Sequence, residues 1–209
     1  PLITKKKADN NISEEEIKGK ELIMLASRPG IGKTTFALDI IKTVGVDLKQ
    51  AVAYFSFKNA KEYLSLRLLT GLSQVDFIKV RNCRDITREE WNNIIDAASV
   101  LDRTEIYITD DAFNLMQIGA AARRLKKEEG IKLLIIDGLE ILLSGNGTGQ
   151  NGNAEIIIAK DLKYLKRLAE DLTIPIIICA DLVCTPERDK SRCPTLNGLR
   201  AAGIPEQDI

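Results

Sequence analysis

The sequence predicts an α/β domain with a mainly parallel central sheet flanked by helices. From Leu22 onward, strand-like apolar runs alternate with amphipathic stretches, the pattern of successive βα units. Several of those runs are apolar nearly throughout, as strands covered on both faces must be. Hydrophobic residues make up 44% of the chain and charged residues 29%, the composition of an ordinary folded domain, and 209 residues amount to one generous domain.

The elements follow in order. Residues 1–17 are polar and charged, with Lys5-Lys6-Lys7 followed by Glu14-Glu15-Glu16, and read as a linker, an N-terminal extension or a surface helix; residues 18–209 are left as the folded unit. Strands are expected at Leu22 to Ala26, Ala51 to Phe57, Glu105 to Thr109, Lys132 to Asp137 and Ile174 to Ala180. Thr87 and Glu90 form a capping box, so a helix starts near Arg88 with Trp91, Ile94, Ala98 and Leu101 as its core stripe. Leu115, Ile118, Ala122 and Leu125 mark another helix. Ile158, Leu162, Leu165, Leu168 and Leu172 mark a third, with Lys160, Asp161, Lys163, Lys166 and Arg167 on its wet face. Between the last two lies SGNGTGQNGN, Ser144 to Asn153, a loop by composition.

Charge and composition exclude several functions. Thirty basic residues balance thirty acidic ones, so nucleic acid is not held by bulk positive charge, and any basic groove must be built by placement. The chain has no histidine, which removes Ser-His-Asp triads and His-ligated metals. Cys83, Cys179, Cys184 and Cys193 include no CxxC pair, so free thiols are expected rather than a structural metal site. No apolar run approaches the ~18 residues of a membrane span, and no secretory leader follows the lysine cluster, so a cytoplasmic protein is expected. Pro1 in place of Met, and the stop at Ile209, suggest a piece of a longer polypeptide.

The chemistry centres on Ser27-Arg28-Pro29-Gly30-Ile31-Gly32-Lys33-Thr34-Thr35, between a predicted strand and a predicted helix. It matches a phosphate-binding P-loop except that Ser27 replaces the first glycine. Gly30 and Gly32 let the backbone wrap its N–H groups round a phosphate, and the helix opening at Lys33 presents its positive end. Lys33 reaches the β- and γ-phosphates of a nucleotide such as ATP, and the Thr34 hydroxyl ligates Mg²⁺. A second half of the site is an acid at the end of another buried strand. Asp137 closes Lys132 to Asp137 and would hold Mg²⁺ through water; an aspartate that merely starts a turn is the alternative. Asp110 and Asp111 also follow a strand, where capping of the next helix accounts for them.

These residues lie in blocks that together resemble the C-terminal ATPase domain of DnaB-type replicative helicases, ring-shaped hexamers with a RecA-like fold. The blocks are ASRPGIGKTTFALDI, VAYFSF, ARRLKKEEGIKLLIIDGLEIL, KDLKYLKRLAEDLTIPIII and PTLNGLRAAGIPEQDI, from about Lys18 to Ile209. The resemblance implies a RecA-like P-loop NTPase that hydrolyses Mg-ATP at subunit interfaces and moves along single-stranded DNA. It also implies a homo-hexamer, and primase or a helicase loader as partners. Lys33 and Thr34 fall on the family's phosphate and Mg²⁺ ligands, and Asp137 on its Walker B acid. Arg200 and Gly203 fall on its DNA-contacting loop, a solvated surface arginine being the alternative for Arg200. The family's arginine finger lies beyond the equivalent of Ile209.

Three departures qualify the resemblance. The family's water-activating glutamate is here Lys58, and an ammonium is a poor proton acceptor; it either binds phosphate or points to solvent. The family's γ-phosphate-sensing glutamine aligns with Asp181, whose negative charge is unsuited to direct phosphate binding but would serve to orient water or assist Mg²⁺; Glu140 is a second such candidate. The glutamate after the DNA-contacting arginine is Ala201, and the Ser144 to Asn153 loop has no basic residue. A helicase motor and a catalytically weak nucleotide-binding relative with an assembly or regulatory role are thus both open. A P-loop kinase would need an acceptor pocket, for which there is no motif.

Overall fold

The computed structural model describes residues 2–3, 16–17, 20–111, 114–138 and 154–181. Two short strands, β1 (Leu2–Ile3) and β2 (Glu16–Ile17), pair antiparallel near the N-terminus. The main sheet is built from β3 (Leu22–Ser27), β4 (Val52–Ser56), β5 (Ile106–Thr109), β6 (Leu133–Asp137) and β7 (Ile176–Asp181). Its five strands run in the order β3-β7-β6-β4-β5, and every pairing is parallel. Each expected strand is present. The ladder of β7 starts at Ile176, two residues later than expected, because Pro175 has no N–H to contribute.

The helices are α1 (Lys33–Ile41), α2 (Lys61–Ser73), α3 (Phe77–Asn82), α4 (Arg88–Asp102), α5 (Leu115–Glu128) and α6 (Ala154–Leu172). Lys42–Asp47 prolongs α1 as a π-helical stretch. α2 and α3 were not among the expected helices. Leu64 and Leu68 recur at helical spacing in α2, but α3 buries no residue and so offers no apolar stripe to read.

Strand periodicity divides the core in two. On one face Ala53, Phe55, Leu134, Ile136, Ile176 and Ile178 pack against Ile118 and Ala122 of α5 and Leu162, Leu165, Leu168 and Leu172 of α6. On the other, Val52, Tyr54, Leu133, Ile135, Ile177 and Cys179 pack against Ala37, Leu38 and Ile41 of α1 and Leu64 and Leu68 of α2. The parity that buries Leu133 and Ile135 towards α1 also turns Asp137 that way, and Cys179 does the same for Asp181.

Four expectations need correction. The stripe of α4 is Ile94 and Ala97, with Leu101 partly buried; Trp91 is 47% exposed and Ala98 is exposed. The reason is that α4 packs on α2 instead of on the sheet, so only a narrow edge is covered. Asp111 does not cap α5: Asn114 does, accepting from Gln117 N at 2.9 Å. Asp110 instead accepts from Lys61 N at 3.1 Å, at the start of α2. Asp161 is half-buried rather than on the wet face, with Oδ2 enclosed, and burial raises its carboxyl above the usual range against the pull of Lys160. Cys83 and Cys179 are free thiols, as expected. Cys184, Cys193, Glu140, Arg200, Gly203 and the loop from Ser144 to Asn153 lie outside the described residues. Among the described residues, no helix is long and apolar enough to cross a membrane and no cluster of His, Cys, Asp or Glu is arranged to hold a metal ion.

Two substitutions test this architecture by urea denaturation. Leu134→Ala, at a fully buried position between α5, α6 and the sheet, is expected to cost about 2–5 kcal/mol. Thr87→Ala removes the hydroxyl that accepts from Glu90 N, one half of the capping box of α4, and leaves the Thr87 N–H to Glu90 half in place; it is expected to cost about 1 kcal/mol.

Candidate active site

In a parallel sheet all carboxyl ends lie on one edge, and a crevice forms there. That edge carries Ser27 at the end of β3, Asp181 at the end of β7, Asp137 at the end of β6 and, two residues past β4, Lys58. The loop from Arg28 to Gly32 leaves β3 and delivers the chain into α1. Gly30 and Gly32 take φ of 80° and 101°, a region open to glycine and strained for other residues, and Gly32 is the N-cap of α1. Arg28 is half-buried, whereas Pro29, Ile31 and Thr35 are exposed at the mouth. Gly32 has no side chain to cap α1, and among the described residues no side-chain cap is seen there, so the first N–H groups of the helix suit another acceptor.

Lys33 is 8% exposed, and its ammonium is heavily engaged. Nζ donates to the Ser27 carbonyl at 3.0 Å, to Ser27 Oγ at 2.9 Å and to the Arg28 carbonyl at 3.1 Å. It also pairs with Asp181 Oδ1 at 2.5 Å. The serine in place of the first glycine therefore adds a ligand for the lysine. Asp181 spends its other oxygen on Lys58, with Oδ2 to Nζ at 2.5 Å. Burial opposes ionisation of Asp181, but hydrogen bonds from Lys33 and Lys58, and their two charges, outweigh it and hold the carboxyl below the usual carboxylate range. The solvent-pointing alternative for Lys58 is not what the structure shows. Its stem crosses the end of β6 over Gly138, where a Cβ would stand 2.9 Å from Lys58 Cγ; Gly138 has φ of 95°.

Asp137 is fully buried. Oδ2 accepts from the Thr34 hydroxyl at 2.7 Å and from the Tyr54 hydroxyl at 2.7 Å. Burial, and then the neighbouring Asp137 carboxylate, push the Tyr54 phenol far above its ordinary range, so it stays a donor. Asp137 Oδ1 is enclosed with no hydrogen-bond partner among the described residues. Such an oxygen is costly unless something fills it. A hard cation, directly or through its water shell, satisfies it, and a hydroxyl and a carboxylate are the donors that Mg²⁺ takes. Thr34 and Asp137 thus fit the metal expected from the sequence, and Lys33 with the open N-terminus of α1 fits the phosphates.

Tyr54 was not singled out from the sequence. Its signal was available, since a tyrosine within the apolar run of β4 brings a hydroxyl that needs a buried partner. Thr35 also has a partner outside the loop: Arg67 of α2 donates to Oγ1 at 2.9 Å, while its guanidinium lies over the Phe77 and Tyr63 rings at 5.6 and 6.0 Å.

Asp181→Asn tests the charge arrangement without any ligand. A carboxyl held below its unfolded value contributes stability above that value, near 3.8, and loses it as pH falls through the lower folded value. The variant is expected to melt below the wild type at pH 7, and the gap should close as the pH drops below about 4. A gap that widens on acidification would contradict this assignment.

Comparison with known proteins agrees with this geometry. Residues 10–209 match the family model described as the DnaB-like helicase C terminal domain. The chain is 32% identical over 189 residues to the replicative DNA helicase DnaC of Bacillus subtilis and 31% identical to the replicative DNA helicase DnaB of Geobacillus stearothermophilus. Each match covers 90% of this chain and 41% of the relative, so the chain spans about two fifths of the length of these relatives. Among solved structures, one described as an ATPase domain matches with a TM-score of 0.80 and 27% identity, over 91% of this chain and 67% of that one. A DnaB-like replicative helicase, described with its interactions with primase, matches with a TM-score of 0.79 and 26% identity, over 91% of this chain and 46% of that one. The α/β architecture is therefore of the RecA-like kind seen in helicase ATPase domains, and the chain belongs to the DnaB-like helicase C-terminal domain family.

Proposed function

We propose that this chain is the ATP-binding motor domain of a replicative DNA helicase, coupling Mg-ATP hydrolysis to translocation on single-stranded DNA. One observation carries the reading. Thr34 and Asp137 meet at 2.7 Å beside the phosphate loop, and the other Asp137 oxygen is buried with no hydrogen-bond partner among the described residues, which supports these two residues as the pair that would hold a nucleotide-bound Mg²⁺. The bound metal and triphosphate would supply the electrophile and the leaving group. The chain's residues position them. Backbone N–H groups of the loop and Lys33 hold the phosphates, Thr34 and Asp137 hold the ion, and Tyr54 fixes the Asp137 carboxylate.

The wider assignments rest on membership of the family. They are residues 18–209 as the ATPase unit, with 1–17 as an extension, a homo-hexameric ring, Arg200 and Gly203 against the DNA backbone, primase or a loader as partner, and a cytoplasmic location. A second reading has its own support. Lys58 and Asp181 face one another as an ion pair where water activation and phosphate sensing are expected, which favours a nucleotide-binding module with weak hydrolysis.

Titration calorimetry with Mg-ATP separates nucleotide binding from its absence: Lys33→Ala is expected to abolish binding, and equal affinity for both proteins would count heavily against the reading. ATPase assays with and without single-stranded DNA then separate motor from module. Turnover is expected to be slow, and the double variant Lys58→Glu with Asp181→Gln should exceed both the wild type and Lys58→Glu alone, because a lone glutamate would face the Asp181 carboxylate at close range. Fast DNA-stimulated turnover with Lys58 intact, indifferent to changes at 181, would show hydrolysis to use another residue.

A further inference from the structure

We infer that Lys58 is a terminal-phosphate ligand, which makes this site select nucleoside triphosphate over diphosphate. The inference deepens the nucleotide-binding reading and rests on it. Asp181 holds Lys33 Nζ on one oxygen and Lys58 Nζ on the other, each at 2.5 Å, so the two ammoniums stand one carboxylate apart. A terminal phosphoryl group also presents two adjacent anionic oxygens, at higher charge. When Lys33 turns to the phosphates, the same group can take Lys58 in place of Asp181. Lys58 is aimed for this. Its stem is laid across Gly138, the residue after Asp137, and a side chain on residue 138 would block that path, with a Cβ 2.9 Å from Lys58 Cγ and 3.2 Å from Phe57 Cβ. Its side chain is 23% exposed, so its charge is only partly screened by solvent.

The electrostatics point the same way. Lys33 and Lys58 both pair with Asp181, and Asp137 ends the neighbouring strand, so two positive and two negative groups share this edge of the sheet. A glutamate at 58 with a neutral residue at 181 would leave two carboxylates against one ammonium. The present set is one unit more positive and receives a polyanion more readily. The extra charge lies where only the last phosphate of a triphosphate arrives, so a diphosphate gains little from it. Asp181 keeps the two cations from repelling each other in the nucleotide-free protein and competes with phosphate for them.

Equilibrium binding of fluorescent, methylanthraniloyl-labelled AMP-PNP and ADP to the full chain with Mg²⁺ tests this without reference to turnover. Lys58→Gln is expected to weaken the triphosphate analogue about tenfold or more, the scale of one charge-assisted hydrogen bond, and to leave ADP within about twofold. Lys58→Arg, which keeps the charge, should recover most of the loss. Asp181→Asn, which removes the carboxylate charge that competes with phosphate for both ammoniums, should strengthen binding of the triphosphate analogue. Equal weakening of both nucleotides by Lys58→Gln, no weakening of either, or loss of triphosphate affinity in Asp181→Asn would overturn the inference. Lys33→Ala distinguishes the two levels: if it leaves both nucleotides bound, the nucleotide site itself is misplaced, whereas if it loses both while Lys58→Gln loses neither, only the role of Lys58 fails.

Discussion

The hydrogen bond from Thr34 to Asp137 joins residues 103 positions apart, and the rest of the site is arranged around it. It exists because β3, β7 and β6 are adjacent and parallel, so the start of α1 leans across β7 to reach the end of β6. The two apolar faces of the sheet set that geometry. Leu133 and Ile135 bury themselves towards α1 and α2, and the two-residue period leaves Asp137 no other side to face. A one-residue slip of β6 would turn this carboxylate to the apolar face that packs on Ile118, Leu162 and Leu165, where burial of a charge is costly. Packing and chemistry are one constraint here.

Around that contact the charges are arranged in two tiers. Asp137 is fully buried, holds two hydroxyl donors on one oxygen and has no partner among the described residues on the other, a rigid arrangement. Asp181 and Lys58 form a looser tier nearer solvent, joined to the buried Lys33 by an ion pair and to each other by a second. The distinction matters because a buried, hydrogen-bonded group keeps its geometry, whereas partly exposed pairs exchange at small net cost. Under the proposed function, the fixed tier would hold the metal and the exchangeable one would meet the charge at the phosphate end.

Much of this was legible in the amino-acid sequence, for physical reasons. Continuous apolar runs bounded by turn residues located all five strands of the main sheet, because burial on both faces forces that composition. Glycines at 30 and 32, with Lys33 and Thr34, specified the loop, since few other combinations combine positive φ with phosphate chemistry. What escaped were relations between distant segments. The exposure of Trp91 follows from α4 lying on α2, a tertiary choice that amphipathic spacing does not encode. Asp110 and Asn114 are both plausible caps by residue type, and only the fold decides that Asp110 serves α2 and Asn114 serves α5. The reach of Lys58 across β6 depends on strand order, which spacing along the chain does not reveal.

The phosphate loop is fastened by its own lysine. Lys33 is tied down by two carbonyls, a hydroxyl and a carboxylate. Under the proposed function, a nucleotide would trade partners with Lys33 on a pre-shaped cradle, so little disorder would have to be frozen out, and the carboxylate at 181, on the strand beside the loop, would be the group that takes the lysine back on release.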